Sequence, residues 1–344
     1  MVDVGPMATQ IRLGKQAARS AHPDANTDNY TDSFAAIVAH SNTNSVSQID
    51  ANTEVGSMKI KAMAPWFGGK RTIAKHIVAE LGKHRAYWEP FCGSCAVLFA
   101  KEPSAMETVN DLHGDLINLA RVVQNEESAL RLYAQLSRTL LHEELFRESV
   151  RRLESTPTPI DGIDPDEQRA VDYMTVSWIG RNGVSGTASC NNGFSARYTK
   201  NGGHAATRWV SAVESIPAWH HRLRHVSILN RDAFELIQKI EDSKGVVIYC
   251  DPPYVKKGAK YTHDFNPDEH ERLARILRRF RKTRVVVSYY GHPTVDELYD
   301  GWSVCRIRAT KALVSQGTRD NSGRADAPEI LLINDVRTGQ ADLF

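Results

Sequence analysis

The strongest constraint on the fold is an alternation of short apolar runs with amphipathic segments, which begins near residue 58. The runs "GVVIYC" (245–250) and "TRVVVSYY" (283–290) have the length and β-branched content of buried strands. Between them, "DEHERLARILRRFRK" (268–282) repeats apolar residues at helical spacing. Strands that alternate with helices are typical of an α/β fold, so we predict a mostly parallel, doubly wound sheet.

The same pattern divides the chain into segments. Residues 1–57 are polar and lack a sustained apolar period, so we predict a poorly ordered leader, with a docking tail as the alternative. Residues 58–124 and 229–344 carry the alternation and are predicted to form one domain. Residues 125–228 are first helical and charged, then rich in Gly, Asn and Ser. This segment is too long for an ordinary loop and predicts an inserted, partly helical subdomain with a binding surface.

Composition narrows the class of protein. No apolar run reaches the roughly 18 residues of a membrane span. The N-terminus lacks the basic and apolar regions of a secretory signal. Five cysteines fit a reducing compartment better than a disulfide framework. These features together predict an intracellular protein. The pair in "CGSC" (92–95) has no further ligands at zinc spacing, so we predict no metal site.

Three predicted strand ends carry groups that suit a ligand. In "YWEPFCGSCAVLF" (87–99), Gly93 lies in a small-residue turn that allows a ligand to approach the backbone. In "VNDLHGDL" (109–116), Asp111 ends a strand, where an acid is suited to ribose hydroxyls. "DPPY" (251–254) follows the "GVVIYC" strand. Ligands of open parallel sheets bind at the carboxyl ends of strands, so we predict one site there.

These motifs, in this order, resemble the Dam-like family of S-adenosylmethionine-dependent DNA adenine-N6 methyltransferases, especially its compact phage and prophage members. The resemblance begins at "APWFGGK" (64–70), covers roughly the rest of the chain, and includes "NRDAFELI" (230–237). It implies a Rossmann-like methyltransferase fold, S-adenosylmethionine as cofactor, double-stranded DNA as partner, and target recognition by the inserted subdomain. It implies cofactor contacts at Trp66, Gly69, Lys70, Glu89, Pro90, Phe91, Gly93, Asp111, Asp232, Phe234 and Asp251.

The resemblance identifies "DPPY" as the catalytic motif. The adenine amino nitrogen is a poor nucleophile because its lone pair is delocalised into the ring. The Asp251 carboxylate and the Pro252 carbonyl can each accept one of its N–H groups, which returns the lone pair to nitrogen. Pro252 and Pro253 stiffen the loop, and Tyr254 is expected to be an exposed ring that stacks on the base. The base must first leave the duplex.

Basic and amide side chains in the insertion, and two lysines after "DPPY", predict a DNA-binding surface. Glycines beside them allow close approach, and Arg or Asn can read purine edges or hold phosphates. The alternative is that they are solvated loop charges. The predicted DNA contacts are Arg181, Asn182, Arg197, Lys200, Arg208, Lys256 and Lys257.

Other functions remain open at this point. The chain could methylate cytosine N4 or a glutamine amide, although those families more often have Ser or Asn where Asp251 stands. It could also be a DNA-binding module without catalysis, although every motif residue is present. The family pattern differs here at Phe67, usually small, and at Cys95, often glycine. We expect a cytoplasmic, nucleoid-associated monomer, with a cognate restriction endonuclease as a candidate partner.

Overall fold

The computed structural model of the protein describes residues 62–156, 164–180, 185, 193–194, 205–255, 263–307 and 329–336. By backbone contacts the chain divides into Met1–Thr53 and Glu54–Phe344, and every described residue belongs to the second unit. The predicted leader, 1–57, therefore lies outside the described residues.

Seven strands in the described part of the chain form one sheet. They are β1 (Ala86–Glu89), β2 (Met106–Asn110), β3 (Ser227–Leu229), β4 (Val246–Cys250), β5 (Arg284–Tyr290), β6 (Ser303–Ile307) and β7 (Glu329–Ile333). Their order is β3-β2-β1-β4-β5-β7-β6. The first five are parallel, whereas β7 runs antiparallel to both β5 and β6. The prediction of a mostly parallel α/β sheet is confirmed.

Helices lie before β1 and in the connections between consecutive strands from β1 to β6. They are α1 (Ala74–Leu81), α2 (Ala96–Ala100), α3 (Gly114–Gln124), α4 (Glu126–Ser137), α5 (Glu143–Ser155), α6 (Glu167–Ile179), α7 (Ala205–Val213), α8 (Ile216–Leu223), α9 (Ala233–Lys239), α10 (Pro267–Leu277) and α11 (Pro293–Leu298). No helix in the described ranges is both long enough and apolar enough to cross a membrane.

Burial explains why the strand sequences are continuously apolar. All five residues of β4 are buried, as expected of a parallel strand that is covered on both faces. Leu273 and Leu277 of α10 pack in the same core cluster as Val285 and Val287 of β5. The helix predicted over 268–282 ends earlier, at Leu277, and the turn that follows still buries Phe280.

The connection from β2 to β3 is a block of helices. Helix α3 packs against α6 and α8, and α6 is buried along nearly its whole length. A buried ion cluster of Lys101, Glu107 and Arg222 joins the end of α8 to β2. The block therefore rests on the sheet through both apolar packing and buried charge.

Candidate active site

A cavity with about 820 Å³ of empty space, including its open mouth, lies at the carboxyl ends of three parallel strands. Glu89 closes β1, Asn110 closes β2, and Asp251 follows β4, and all three line the cavity. Strand β1 lies between β2 and β4 in the sheet, so the chain connections diverge to opposite sides at this point. Such a switch point is where open α/β sheets bind ligands.

The turn after β1 forms one wall of the cavity. Gly93 has φ of +44°, and a side chain there would lie 2.8 Å from the indole Nε1 of Trp66. The Gly93 N–H donates to Asp111 Oδ2 at 2.8 Å, and Asp111 Oδ1 accepts from His113 N at 2.9 Å. Cys95 also has a left-handed φ of +57°, which explains why a glycine is common at this position in the family it resembles. This hydrogen bonding fixes Asp111 at the cavity edge.

The opposite wall carries the "DPPY" aspartate in a network of buried groups. Lys70 Nζ lies 2.9 Å from Asp251 Oδ1 and 3.3 Å from Glu329 Oε1. The Tyr254 hydroxyl lies 3.1 Å from Asp251 Oδ1 and also forms a hydrogen bond with Glu329. Lys70 also donates to the Gly68 carbonyl at 2.8 Å. Both partners of Asp251 use the same oxygen, which leaves Oδ2 without a hydrogen-bond partner among the described residues.

Burial shifts the ionisation of the two acids in this cavity. It raises the pKa of Asp251 to about 6, although the Lys70 ammonium opposes the shift. It raises the pKa of Glu89 to about 8, although the hydrogen bond from the Tyr87 hydroxyl opposes this. Perturbed carboxyls in a cleft are typical of functional sites. The cavity therefore favours a ligand with positive charge, which would stabilise the ionised acids.

Most of the predicted cofactor residues meet in this cavity, but two do not. Asp232 is the N-cap of α9, where its Oδ1 accepts from Glu235 N at 2.9 Å. Phe234 is 2% exposed and stacks on Phe265 in the core, because α9 turns that face toward the sheet. The predicted residues that line the cavity are Trp66, Gly69, Lys70, Glu89, Pro90, Phe91, Gly93, Asp111, Asp251 and Pro253.

The expectation that Tyr254 is an exposed ring is wrong. Tyr254 is 5% exposed, and its ring packs edge-on against Tyr290 at 4.6 Å between centroids. Its hydroxyl turns inward because Asp251 and Glu329 offer it buried acceptors. Pro252 beside it is buried as well.

Of the predicted DNA contacts, Arg208 falls in the described part of the chain, in α7. Its guanidinium nitrogens are buried and lack hydrogen-bond partners there, and burial lowers the pKa of the group. Arg181, Asn182, Arg197, Lys200, Lys256 and Lys257 lie outside the described residues. These DNA contacts stay predictions.

Sequence reasoning missed several residues of this site. Glu329 opens the apolar run "EILLI", where a single acid reads as an ordinary strand boundary. Phe265 and His263 line the cavity but follow a segment without a recognisable motif. His113 also lines it, and its ring lies edge-on to Trp66 at 5.3 Å. No sequence signal points to Glu329, because its place follows from the sheet order, in which β7 lies beside β5 and β5 lies beside the strand that ends in "DPPY". Among the described residues, no cluster of His, Cys, Asp and Glu is arranged to hold a metal.

Comparisons with known proteins show which family the chain resembles. The family model of the D12 class N6 adenine-specific DNA methyltransferases matches residues 66–314. The retron Ec67 DNA adenine methylase of Escherichia coli is 26% identical over 284 residues, which cover 79% of this chain and 90% of that protein. The DNA adenine methylase of Salmonella typhi is 26% identical over 274 residues, which cover 75% and 91%. The matched region spans well over half of the chain and contains every cavity-lining residue named above, whereas Glu329, which contacts Lys70 from behind the cavity wall, lies beyond it. The chain belongs to the D12 class N6 adenine-specific DNA methyltransferase family.

Proposed function

We propose that the chain methylates adenine N6 in DNA by holding the amino group between Asp251 and the carbonyl of Pro252. The observation that carries this assignment is the one-sided bonding of Asp251. Lys70 and Tyr254 occupy Oδ1, so Oδ2 remains available as an acceptor at the cavity. Two N–H acceptors make the nitrogen more tetrahedral and return its lone pair for attack. Adenine N6 methylation of DNA is the activity of the family to which the chain belongs.

A methyltransferase requires a methyl donor, and the cavity residues fit S-adenosylmethionine. Asp111 and Asp251 provide two carboxylates against the one ammonium, of Lys70, among the described cavity residues, and Glu89 adds a third when a cation stabilises its ionised form, which suits a cationic donor. Aromatic rings of Trp66, Phe91 and Phe265 would flank its purine. When bound, S-adenosylmethionine supplies a methyl group activated by a sulfonium. The residues proposed to hold it are Trp66, Gly69, Lys70, Glu89, Pro90, Phe91, Gly93 and Asp111.

The protein's part in the reaction is orientation and charge. Asp251 is the stronger acceptor when it is ionised, and only that form can take up the amino proton; Lys70 favours it. Pro252 and Pro253 hold the backbone acceptor because proline fixes φ. After methyl transfer the amino nitrogen carries an extra proton, and Oδ2 of Asp251 is placed to accept it. Because the amino group is inaccessible inside a stacked duplex, the adenine must be flipped out.

The same proposal assigns DNA binding to the helical block and to the segments that carry the predicted DNA contacts. Residues 125–228 would then act as the target-recognition part of the enzyme, and 58–124 with 229–344 as its catalytic part. Action on DNA would place the enzyme at the nucleoid.

The direct test is a methyl-transfer assay with labelled S-adenosylmethionine and duplex DNA of varied sequence. The product is digested to nucleosides and separated by chromatography. Label in N6-methyl-2′-deoxyadenosine supports the proposal. Label only in N4-methyl-2′-deoxycytidine, or no label with any duplex, would contradict it.

Gly93→Ala is expected to weaken donor binding at least about tenfold. The added Cβ would clash with the Trp66 indole, and φ of +44° disfavours any side chain. Isothermal titration with S-adenosylmethionine measures the effect. Gly291→Ala is the matched control because no atom lies within 4 Å of its Cβ. Equal affinity of the two variants would contradict this prediction.

Activity is expected to fall as the pH drops through about 6, the pKa of Asp251. A raised pKa means that the carboxyl is protonated below that pH, and a neutral carboxyl is a weaker acceptor that can no longer take up the amino proton. An ordinary aspartate would keep its charge down to about 3.9. The log of kcat/KM against pH, measured where circular dichroism shows an intact fold, reports this ionisation in the free enzyme. A flat profile down to about pH 5 would contradict the assignment.

A further inference from the structure

Glu329 is a buried acid in the active site that the proposed chemistry does not use. It is the first residue of β7 and is 5% exposed. Its strand lies between β5 and β6, and Glu329 pairs with Tyr290 on one side and Ile307 on the other. A carboxylate is rarely buried without a partner, so its contacts indicate its role.

Those contacts link Glu329 to Asp251 through two shared neighbours, Lys70 and Tyr254. Lys70 Nζ lies 2.9 Å from Asp251 Oδ1 and 3.3 Å from Glu329 Oε1, and the Tyr254 hydroxyl contacts the same two oxygens. The hydroxyl has one hydrogen for two carboxylate acceptors. Lys70 also lies over the Tyr254 ring, 4.8 Å from its centroid. Glu329 thus fixes both groups that occupy one side of Asp251.

We propose that Glu329 is a positioning residue of the methyl-transfer site, which holds Lys70 and Tyr254 against Oδ1 of Asp251 and keeps Oδ2 directed to the substrate. This inference rests on the proposed role of Asp251. A central strand is a rigid support, and a site on such an element is held more closely than one on a loop. Glu329 acts through Lys70 and Tyr254 and does not touch the reacting atoms.

The charge of Glu329 gives its role a distinct signature. Its negative charge contributes to the raised pKa of Asp251, after burial itself. Removing that charge should lower the pKa of Asp251 and move the acid limb of the pH profile to lower pH. A loss of structure alone would reduce activity at every pH without moving the limb. The titratable groups that face Glu329 among the described residues are Lys70, Asp251, Tyr249, Tyr254 and Tyr290.

The experiment compares Glu329→Gln and Glu329→Asp in the full chain, with Glu297→Gln as an exposed control. Steady-state adenine methylation is measured across pH with saturating donor. For Glu329→Gln we expect kcat to fall about tenfold to a hundredfold, with KM for DNA within about twofold. Its acid limb should move to lower pH. Glu329→Asp keeps the charge but shortens the side chain, so its kcat should fall while the limb stays near that of the wild type.

Combination with Tyr254→Phe tests whether Glu329 acts through the tyrosine. If it does, Glu329→Gln costs less in the Tyr254→Phe background than in the wild type. Additive losses would overturn the inference, and so would a fall in the kcat of Glu329→Gln without a shift of its acid limb. If the Gln variant does not fold, wild-type kcat in Glu329→Asp overturns it instead. An Asp251→Asn enzyme as active as the wild type would refute the proposed function itself, which keeps the two failures distinguishable.

Discussion

Asp251→Asn is expected to reduce adenine methylation at least about a thousandfold, because it removes the acceptor that directs the amino nitrogen. Lys70 and the Tyr254 hydroxyl both donate to Oδ1. They would therefore hold the amide oxygen of Asn on their side. The amide NH₂ would then face the substrate N–H, so that two donors meet where one acceptor is needed. The substitution keeps the shape of the side chain but replaces the acceptor that faces the substrate with a donor.

The measurement is kcat under single turnover, together with the affinities for DNA and for S-adenosylmethionine. The affinity for DNA should stay within about threefold of the wild type, because the fold and the cavity walls are unchanged, whereas the affinity for S-adenosylmethionine should fall, because the cavity loses one carboxylate. Asp296→Asn, an exposed acid in the first turn of α11, is the matched control and should leave kcat unchanged. If Asp251→Asn keeps more than about a tenth of wild-type kcat, Asp251 does not have the role assigned to it.

Glu107→Ala is expected to lower the free energy of unfolding by about 3–5 kcal/mol, the cost of breaking a buried ion cluster by removing one member. Glu107 is 4% exposed and contacts Lys101 and Arg222, which are 5% and 9% exposed. Burial disfavours its charge, but the hydrogen bonds from Arg222 and Lys101 outweigh this and hold its pKa below the usual value. Without Glu107, two buried cations lose their shared counter-charge.

Urea unfolding followed by circular dichroism gives this free energy. Glu143→Gln is the control, since its ion pair with Arg147 is on the surface and should contribute less than about 1 kcal/mol. The cluster joins β2 to the end of α8. A loss for Glu107→Ala no larger than that of the control would show that this junction does not support the fold.

The sheet was predictable because burial on both faces leaves a direct trace in the residues. "GVVIYC" and "TRVVVSYY" are continuously apolar, and they became β4 and β5. "GDLINLARVVQ" (114–124) likewise has apolar residues at helical spacing and forms α3. Helix α10 ends at Leu277, before its predicted limit, and Arg278 is its C-cap. Phe280, in the turn that follows, remains in the core.

The cavity was predictable in part, through residues whose backbone requirement or position after a strand is visible locally. Gly93, Asp111 and Asp251 belong to this group. Phe234 does not, because a helical phenylalanine can face either the ligand or the core, and only packing decides which. The burial of Tyr254 was not predictable, because Glu329, one of the two acceptors that draw its hydroxyl inward, comes from a distant part of the chain.

The sequence by itself determined the α/β class and the strand ends that carry the cavity groups, and its resemblance to a known family indicated Asp251 as the acid proposed for catalysis. These depend on local periodicity and on motifs only a few residues long. The tertiary structure alone decided which oxygen of Asp251 is available and which acid supports it. Glu329 lies 78 positions after Asp251 and reaches it because β7 inserts antiparallel beside β5. Such long-range pairing leaves no signal at either position, since it is the sheet order that places the two carboxylates on one lysine.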